Sequence, residues 1–344
     1  MVFNDNFLKA CRREKVEHIP VWYMRQAGRY QPEYKKIRES YTLMEIVHQP
    51  EICAEVTRMP VEELDVDAAI LFSDIMTPIG AMGVPFEIRE NIGPCIDNPI
   101  RNASDIARMK TPDFKKELSY VTETIQLLRR QLSVPLIGFC GAPYTLASYM
   151  VEGGPSKNYI HTKSMMYNNT IAWEALMNVL VDGMIEYLKL QIDAGAQALQ
   201  VFDSWVGSFS REDYKAYVLP YMKRLFTSVK SYNNTIPLIH FGVNTAHLLD
   251  LIKEAGGDVI GLDWRISITD ARNILGNDVA IQGNLDPTAL YAPKNQLEEK
   301  ASLILEQVKQ SGFVFNLGHG VTPQVQVKTL KDLTHFVHDF ELKN

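Results

Sequence analysis

Residues 237–264, "PLIHFGVNTAHLLDLIKEAGGDVIGLDW", carry one complete unit of the fold. The runs "PLIHF" and "VIGLDW" are short and continuously apolar, the pattern of strands covered on both faces. Between them "NTAHLLDLIKEAGG" has helical spacing and ends on Gly256 and Gly257, which are placed to stop the helix. Two buried strands joined by a helix form a parallel crossover, because parallel neighbours cannot be linked by a tight turn.

Working outward from this unit, the chain holds eight such runs: "PVWYM", "AAILF", "PLIGF", "ALQVF", "PLIHF", "VIGLDW", "VAIQG" and "FVFNLG". They end near Met24, Leu71, Phe139, Phe202, Phe241, Leu262, Gln282 and Leu317, and every gap is long enough for a crossover. Eight strand–helix units in 344 residues predict an α/β protein, a single (β/α)8 TIM barrel. A doubly wound open sheet is the rival with the same local pattern. No repeat, low-complexity tract or Ser/Gly linker marks a second domain, so one domain is expected over 1–344. The segment 80–114, punctuated by Gly83, Pro85, Gly93 and Pro94, reads as an extended loop over the C-terminal mouth of the barrel.

With 46% hydrophobic residues the chain can fill a large core, and its net charge of -6 leaves no broad basic face for a nucleic-acid backbone. Any anion site must therefore be local. Cys11, Cys53, Cys95 and Cys140 lie about 40 residues apart, without the density of a disulfide framework or the CxxC pairing of a structural zinc site. Charges interrupt "MVFNDNFLKACRREKVEH" before a signal-peptide core can form, and no run approaches the roughly 18–20 apolar residues of a membrane span. These features predict a soluble, cytoplasmic protein with no membrane partner.

In a barrel the carboxyl ends of the strands share one opening, so chemistry is sought there. Arg25 and Arg29 follow the first strand, Ser73 and Asp74 the second, Asp203 and Ser204 the fourth, and His319 the eighth. A lone arginine is as readily a partner for a loop carboxylate such as Glu33. Two fixed-charge guanidinium forks at a concave mouth instead suit a carboxylate or phosphate ligand. Arg38 adds a third charge or simply decorates a solvated helix face. Asp74, directly after a buried strand, either anchors an arginine or meets a substrate donor, since a buried carboxylate is costly unpaired. Tyr149, Ser204 and His319 each fit an ordinary hydrogen-bond network at a barrel mouth as well as a site. No Walker loop, GxGxxG turn, HExxH motif or metal-ligand cluster is present.

The stretches "PVWYMRQAGRYQPEY" and "IGFCGAPYTLASYMVEGG" resemble the two signatures of the uroporphyrinogen decarboxylase family, and "FSDIMTPIGAMG", "GLDWRI", "QGNLDP" and "NLGHGVTP" extend the likeness over most of residues 5–340. The resemblance implies a cofactor-free, metal-free barrel enzyme, commonly a homodimer. Such enzymes remove carbon dioxide from the four acetate side chains of uroporphyrinogen to give coproporphyrinogen. It also implies that Asp74, Arg25 and Tyr149 are catalytic, Asp74 being the carboxylate that accepts pyrrole N–H bonds. By the same likeness Arg29, Tyr34 and Arg38 join Arg25 in holding substrate, with Phe202 as an apolar wall and Ser204 and His319 as further contacts. Tyr34 stands where some relatives have phenylalanine.

Loss of carbon dioxide from an acetate leaves an electron pair that needs a sink. With no coenzyme implied, the sink is the substrate's own pyrrole, protonated at carbon. An ionised Asp74 would stabilise that cation and orient the ring, and nearby arginines would hold its pKa down against burial. Arginine itself is a poor proton donor. Two rivals remain open at this point. A related corrinoid-dependent methyltransferase would need histidine and cysteine ligands for zinc late in the chain, where no cysteine follows Cys140. A tetrapyrrole carrier would keep the arginine clamp without turnover.

Overall fold

The computed structural model describes residues 3–90, 92–309 and 311–341. The expected span 1–344 also includes positions 1–2, 91, 310 and 342–344, which lie outside the described residues. Among the described residues nine strands are formed: β1 (Ala69–Ile70), β2 (Glu87–Arg89), β3 (Gly93–Cys95), β4 (Leu136–Gly141), β5 (Ala198–Asp203), β6 (Leu238–Gly242), β7 (Val259–Gly261), β8 (Ala280–Leu285) and β9 (Phe313–Leu317). Seven of them make one parallel sheet in the order β1-β4-β5-β6-β7-β8-β9. Chain order and sheet order coincide, as successive right-handed crossovers require, and the doubly wound alternative, in which the order reverses, is excluded. In register Val201 faces His240, His240 faces Ile260, and Ile260 faces Ile281.

The first predicted strand is in its expected place but is not a regular ladder. Residues 20–24 lie between β9 and the chain entering β1, closing the ring through one parallel bridge, Val21 to Phe315. Phe315 N–H donates to Pro20 C=O at 2.9 Å, and Asp67 N–H donates to Val21 C=O at 2.8 Å. Trp22 N–H donates to Phe315 C=O at a long 3.4 Å, and three other backbone donors bond side chains. Val21 N–H donates to Asp67 Oδ2 at 2.7 Å, Tyr23 N–H to Gln26 Oε1 at 3.1 Å, and Met24 N–H to Asn316 Oδ1 at 3.1 Å. Polar side chains that intercept backbone donors compete with a ladder, which is why an apolar run here ends as a clasped, irregular strand.

Inside the ring Trp22, Ile137, Ala198, Ile239, Val259, Ala280 and Val314 form one buried cluster, and Phe7, Leu8, Ala10 and Cys11 of the N-terminal helix Asn6–Cys11 join it. A polar chain crosses this interior: Trp22 Nε1–H donates to Gln282 Oε1 at 2.9 Å and Gln282 Nε2–H to Gln200 Oε1 at 3.0 Å. A larger cluster lies between the strands and the surrounding helices. The longest of these, Thr170–Ala194, is capped by the Asn169 side chain and ends at Gly195, whose φ of 111° is open to glycine. The segment 80–114 is structured, with the antiparallel β2–β3 pair and a short helix, Ala103–Ile106. Within it Lys110 N–H donates to Met82 C=O, and Ile100 and Ile96 N–H donate to Met150 and Gly153 C=O at the end of the helix Pro143–Glu152 that follows β4.

Candidate active site

The strand ends set the site on an aromatic floor. Phe202, part-exposed at the end of β5, meets Phe139 edge-on at 5.4 Å and Phe241 at 6.0 Å between ring centroids. Arg25 follows the clasped strand with φ of 60°, a left-handed conformation that costs a non-glycine residue on the order of 1 kcal/mol or more. That turn sends its exposed side chain across the "LGHG" loop after β9. A Cβ on Gly320 would lie 2.7 Å from Arg25 Cγ and nearer still to Cδ, so the glycine gives the arginine stem its seat.

Asp74 follows β1 and opens a short turn: its Oδ1 accepts Met76 N–H at 2.9 Å and its carbonyl accepts Thr77 N–H. Burial raises its carboxyl above the ordinary value, while the Met76 hydrogen bond and the Arg25 charge oppose the rise. The expectation that arginines would hold it low is therefore corrected. Desolvation is the larger effect, because Arg25 is exposed and its charge is screened by water.

Arg25 also acts on Tyr149 and His319, so three of the other expected residues lie within its electrostatic reach. Tyr149, on the helix Pro143–Glu152, has its hydroxyl pushed up to about 12 by burial and the Asp74 charge, with Arg25 opposing. It is a neutral O–H donor at physiological pH. The His319 imidazole is pushed down to about 4 by burial and by Arg25, with Arg265 adding to this and Asp263 opposing, so it is uncharged. Ser204 lies part-buried between Asp203 and Trp205, and the Trp205 ring stands edge-on to Tyr149 at 5.2 Å.

Arg29, Tyr34 and Arg38 form a neighbouring group on the helix Pro32–Ser40 and the turn before it. Tyr34 is buried, packs on Phe72 at 5.6 Å and joins Ile46, Cys53 and Val56 in a small core. Burial raises its hydroxyl and the Arg38 and Arg29 charges lower it, so both cations lie near that oxygen. Arg38 Nη1 donates to Tyr41 C=O at 3.3 Å. Phe72 ties this group to Asp74, two residues on.

Sequence reading assigned no role to three features. Asp263, buried after β7, accepts the N–H groups of Asn244 and Arg265 and pairs with Arg265 Nη1 at 2.6 Å, while Arg265 stacks 4.1 Å over Trp264. Gly320 carried no signal beyond its type. At the opposite, N-terminal end of the barrel, His18, Asp67 and His338 have their donor atoms within 4.8 Å of one another, metal-like spacing. They fit a hydrogen-bonded clasp better. His18 Nε2 and His338 Nε2 contact the two Asp67 oxygens at 2.7 and 2.8 Å, and Asn4 Nδ2 and Val21 N–H occupy the remaining lone pairs.

The family model for "Uroporphyrinogen decarboxylase (URO-D)" matches residues 3–340. The uroporphyrinogen decarboxylase of Bacillus pumilus is 54% identical over 99% of this chain and 97% of its own. That of Bacillus subtilis is 55% identical over 98% of this chain and 96% of its own. Among solved structures, a methyltransferase from Methanosarcina mazei superposes with a TM-score of 0.76 over 98% of both chains at 18% identity, which shows a shared barrel fold and no more. With a family match over residues 3–340 and relatives above half identity along nearly the whole length, the chain belongs to the uroporphyrinogen decarboxylase family.

Proposed function

We propose that this protein decarboxylates the four acetate side chains of uroporphyrinogen, giving coproporphyrinogen for tetrapyrrole synthesis, with Asp74 as the central group. The observation that carries the assignment of roles is the meeting of one part-buried carboxylate, one guanidinium and two neutral hydrogen-bonding side chains above an aromatic floor. The macrocycle brings four pyrrole N–H donors and eight carboxylates. Its N–H groups would replace the water that Asp74 loses, favouring the charged carboxylate just when the ring needs it. Arg25, Arg29 and Arg38 take carboxylate arms, Tyr149, Ser204 and His319 donate hydrogen bonds to them, and Phe202 meets the ring face.

Protonation of the pyrrole at carbon makes the cation that draws electrons out of the breaking C–C bond. The exocyclic methylene left by carbon dioxide then takes up a proton to become methyl as the ring carbon returns its proton to water. Asp74 stabilises that cation from a fixed position, at no reorganisation cost during the reaction. Arg25, beside Asp74, holds the reacting acetate ionised and aligned, and water ordered by it is the proton source consistent with its fixed charge. Burial of the acetate within the cleft destabilises the carboxylate relative to the neutral carbon dioxide it becomes.

A homodimer and a cytoplasmic site of action belong to the same reading. Among the described residues no helix is long and apolar enough to cross a membrane. The test is direct: purified protein and reduced uroporphyrinogen, with no added metal or coenzyme, should give products of stepwise lower carboxylate number. Bound but unchanged substrate would support the carrier instead.

A further inference from the structure

Asp203, the last residue of β5, and His240, in the middle of the neighbouring strand β6, are both fully buried, an arrangement a merely apolar core would not contain. His240 Nε2 lies 3.4 Å from Asp203 Oδ2. The other oxygen, Oδ1, accepts the Thr145 hydroxyl at 3.3 Å, and Thr145 Oγ1 in turn accepts Trp205 N–H at 3.4 Å. Thr145 is also fully buried and sits one helical turn before Tyr149 on the helix Pro143–Glu152. The chain of bonds thus starts inside the barrel wall and ends on the turn that carries Ser204 and Trp205. There the Trp205 ring stands at 87° to the Tyr149 ring.

We propose that Thr145, held by the Asp203–His240 pair, is a positioning residue that fixes Tyr149 and Ser204 relative to the substrate. Three elements, β5, β6 and the helix after β4, converge on one carboxylate, and the hydroxyl of Thr145 is the only link in the chain that touches both the carboxylate and the site turn. A buried donor or acceptor that loses its partner is costly, so the native placement of Trp205 is strongly preferred over a shifted one. The His240 Nδ1 atom has no hydrogen-bond partner among the described residues, so the polar tie of this imidazole is to Asp203, while its ring packs on Phe226 at 4.9 Å between centroids. This inference rests on the substrate-binding role given above to Tyr149.

The experiment compares Thr145→Val, Thr145→Ser, Tyr149→Phe and the Thr145→Val/Tyr149→Phe double variant for kcat, KM and thermal unfolding. Valine keeps the shape of threonine and deletes only the hydroxyl. Thr145→Val should lower kcat about tenfold with KM changed less than about twofold, since small misplacements of aligned groups are felt in the rate. Thr145→Ser should restore kcat to within about twofold of the native protein. Because Thr145 acts through Tyr149 and Ser204, the double variant should lose less than the product of the two single losses. Multiplicative losses, or a loss that Thr145→Ser does not rescue, would overturn the inference. Full activity in Thr145→Val beside an impaired Tyr149→Phe would overturn it alone; full activity in Tyr149→Phe would overturn the role of Tyr149 and the inference with it.

Discussion

Gly320→Ala tests whether the position of Arg25, and not just its charge, matters. Gly320 has no positive φ, so its backbone accepts alanine, but the new methyl would meet Arg25 Cγ at 2.7 Å, where ordinary contact begins near 3.4 Å. Cδ is closer and must move further, so the guanidinium shifts by roughly 1 Å, a displacement that can cost up to about 100-fold when reacting groups are aligned. We expect kcat/KM to fall about 10- to 100-fold, or about 1.4–2.7 kcal/mol of transition-state stabilisation. Melting temperature should stay within about 2 °C, because the stem relaxes toward solvent. Arg25→Ala and the double variant complete the test: once the guanidinium is gone, the added methyl should cost nothing further. Native kcat/KM in Gly320→Ala, or equal losses with and without Arg25, would refute the reasoning.

The Asp67 clasp predicts stability rather than activity. Burial alone would raise the Asp67 carboxyl, yet its hydrogen bonds to His18 and His338 hold it well below the ordinary range. Asp67→Ala, which strands these donors at a buried site, should cost about 3–5 kcal/mol in denaturant unfolding; a loss under 1 kcal/mol would contradict the clasp. The Asp67 contribution is present above about pH 4 and disappears as pH falls through its depressed folded value. His18 is raised, chiefly by its Asp67 hydrogen bond, so its contribution is full below about pH 6.5 and is lost as pH rises through the raised value. His18→Gln should accordingly flatten the decline in stability on the alkaline side, measured by chemical denaturation across that range. For activity, a raised Asp74 in the free protein should place the acid limb of kcat/KM above the ordinary aspartate value of about 3.9, with the limb of kcat lower once pyrrole N–H groups are bound. Limbs in the reverse order would show that substrate does not favour the charged form.

The barrel was legible because strands buried on both faces leave continuous apolar runs, and all seven regular ones fall where "AAILF" through "FVFNLG" put them. The run "PVWYM" carried the same signal, but Asp67, Gln26 and Asn316 take its backbone donors, and such competition depends on residues distant in sequence. Strand-end logic also pointed to Arg25, Asp74 and His319, since position at a carboxyl end is a property of chain order, and the Arg25 charge reaches the other two, whereas Tyr149, one element further on in a helix, was singled out by its motif. It gave less for Tyr34, whose aromatic body serves a local core around Phe72 while its hydroxyl faces two arginines. The ionisation of Asp74 was misjudged because the balance of burial against charge needs the exposure of Arg25, which composition does not encode. The Thr145–Asp203–His240 chain joins three elements by single atoms, and no spacing rule links them.

The central claim concerns Asp74, and a single-turnover experiment with Asp74→Asn reaches it most directly. Enzyme in excess over reduced uroporphyrinogen is followed to the first heptacarboxylate product, with binding measured in parallel. The asparagine keeps the size of the side chain and can still accept a pyrrole N–H, but it cannot balance a positive ring. The account predicts affinity within about tenfold of native and a rate of carbon dioxide loss lower by about 100- to 1,000-fold, the range for removing one electrostatic group fixed at a developing charge. A native single-turnover rate in Asp74→Asn would contradict it.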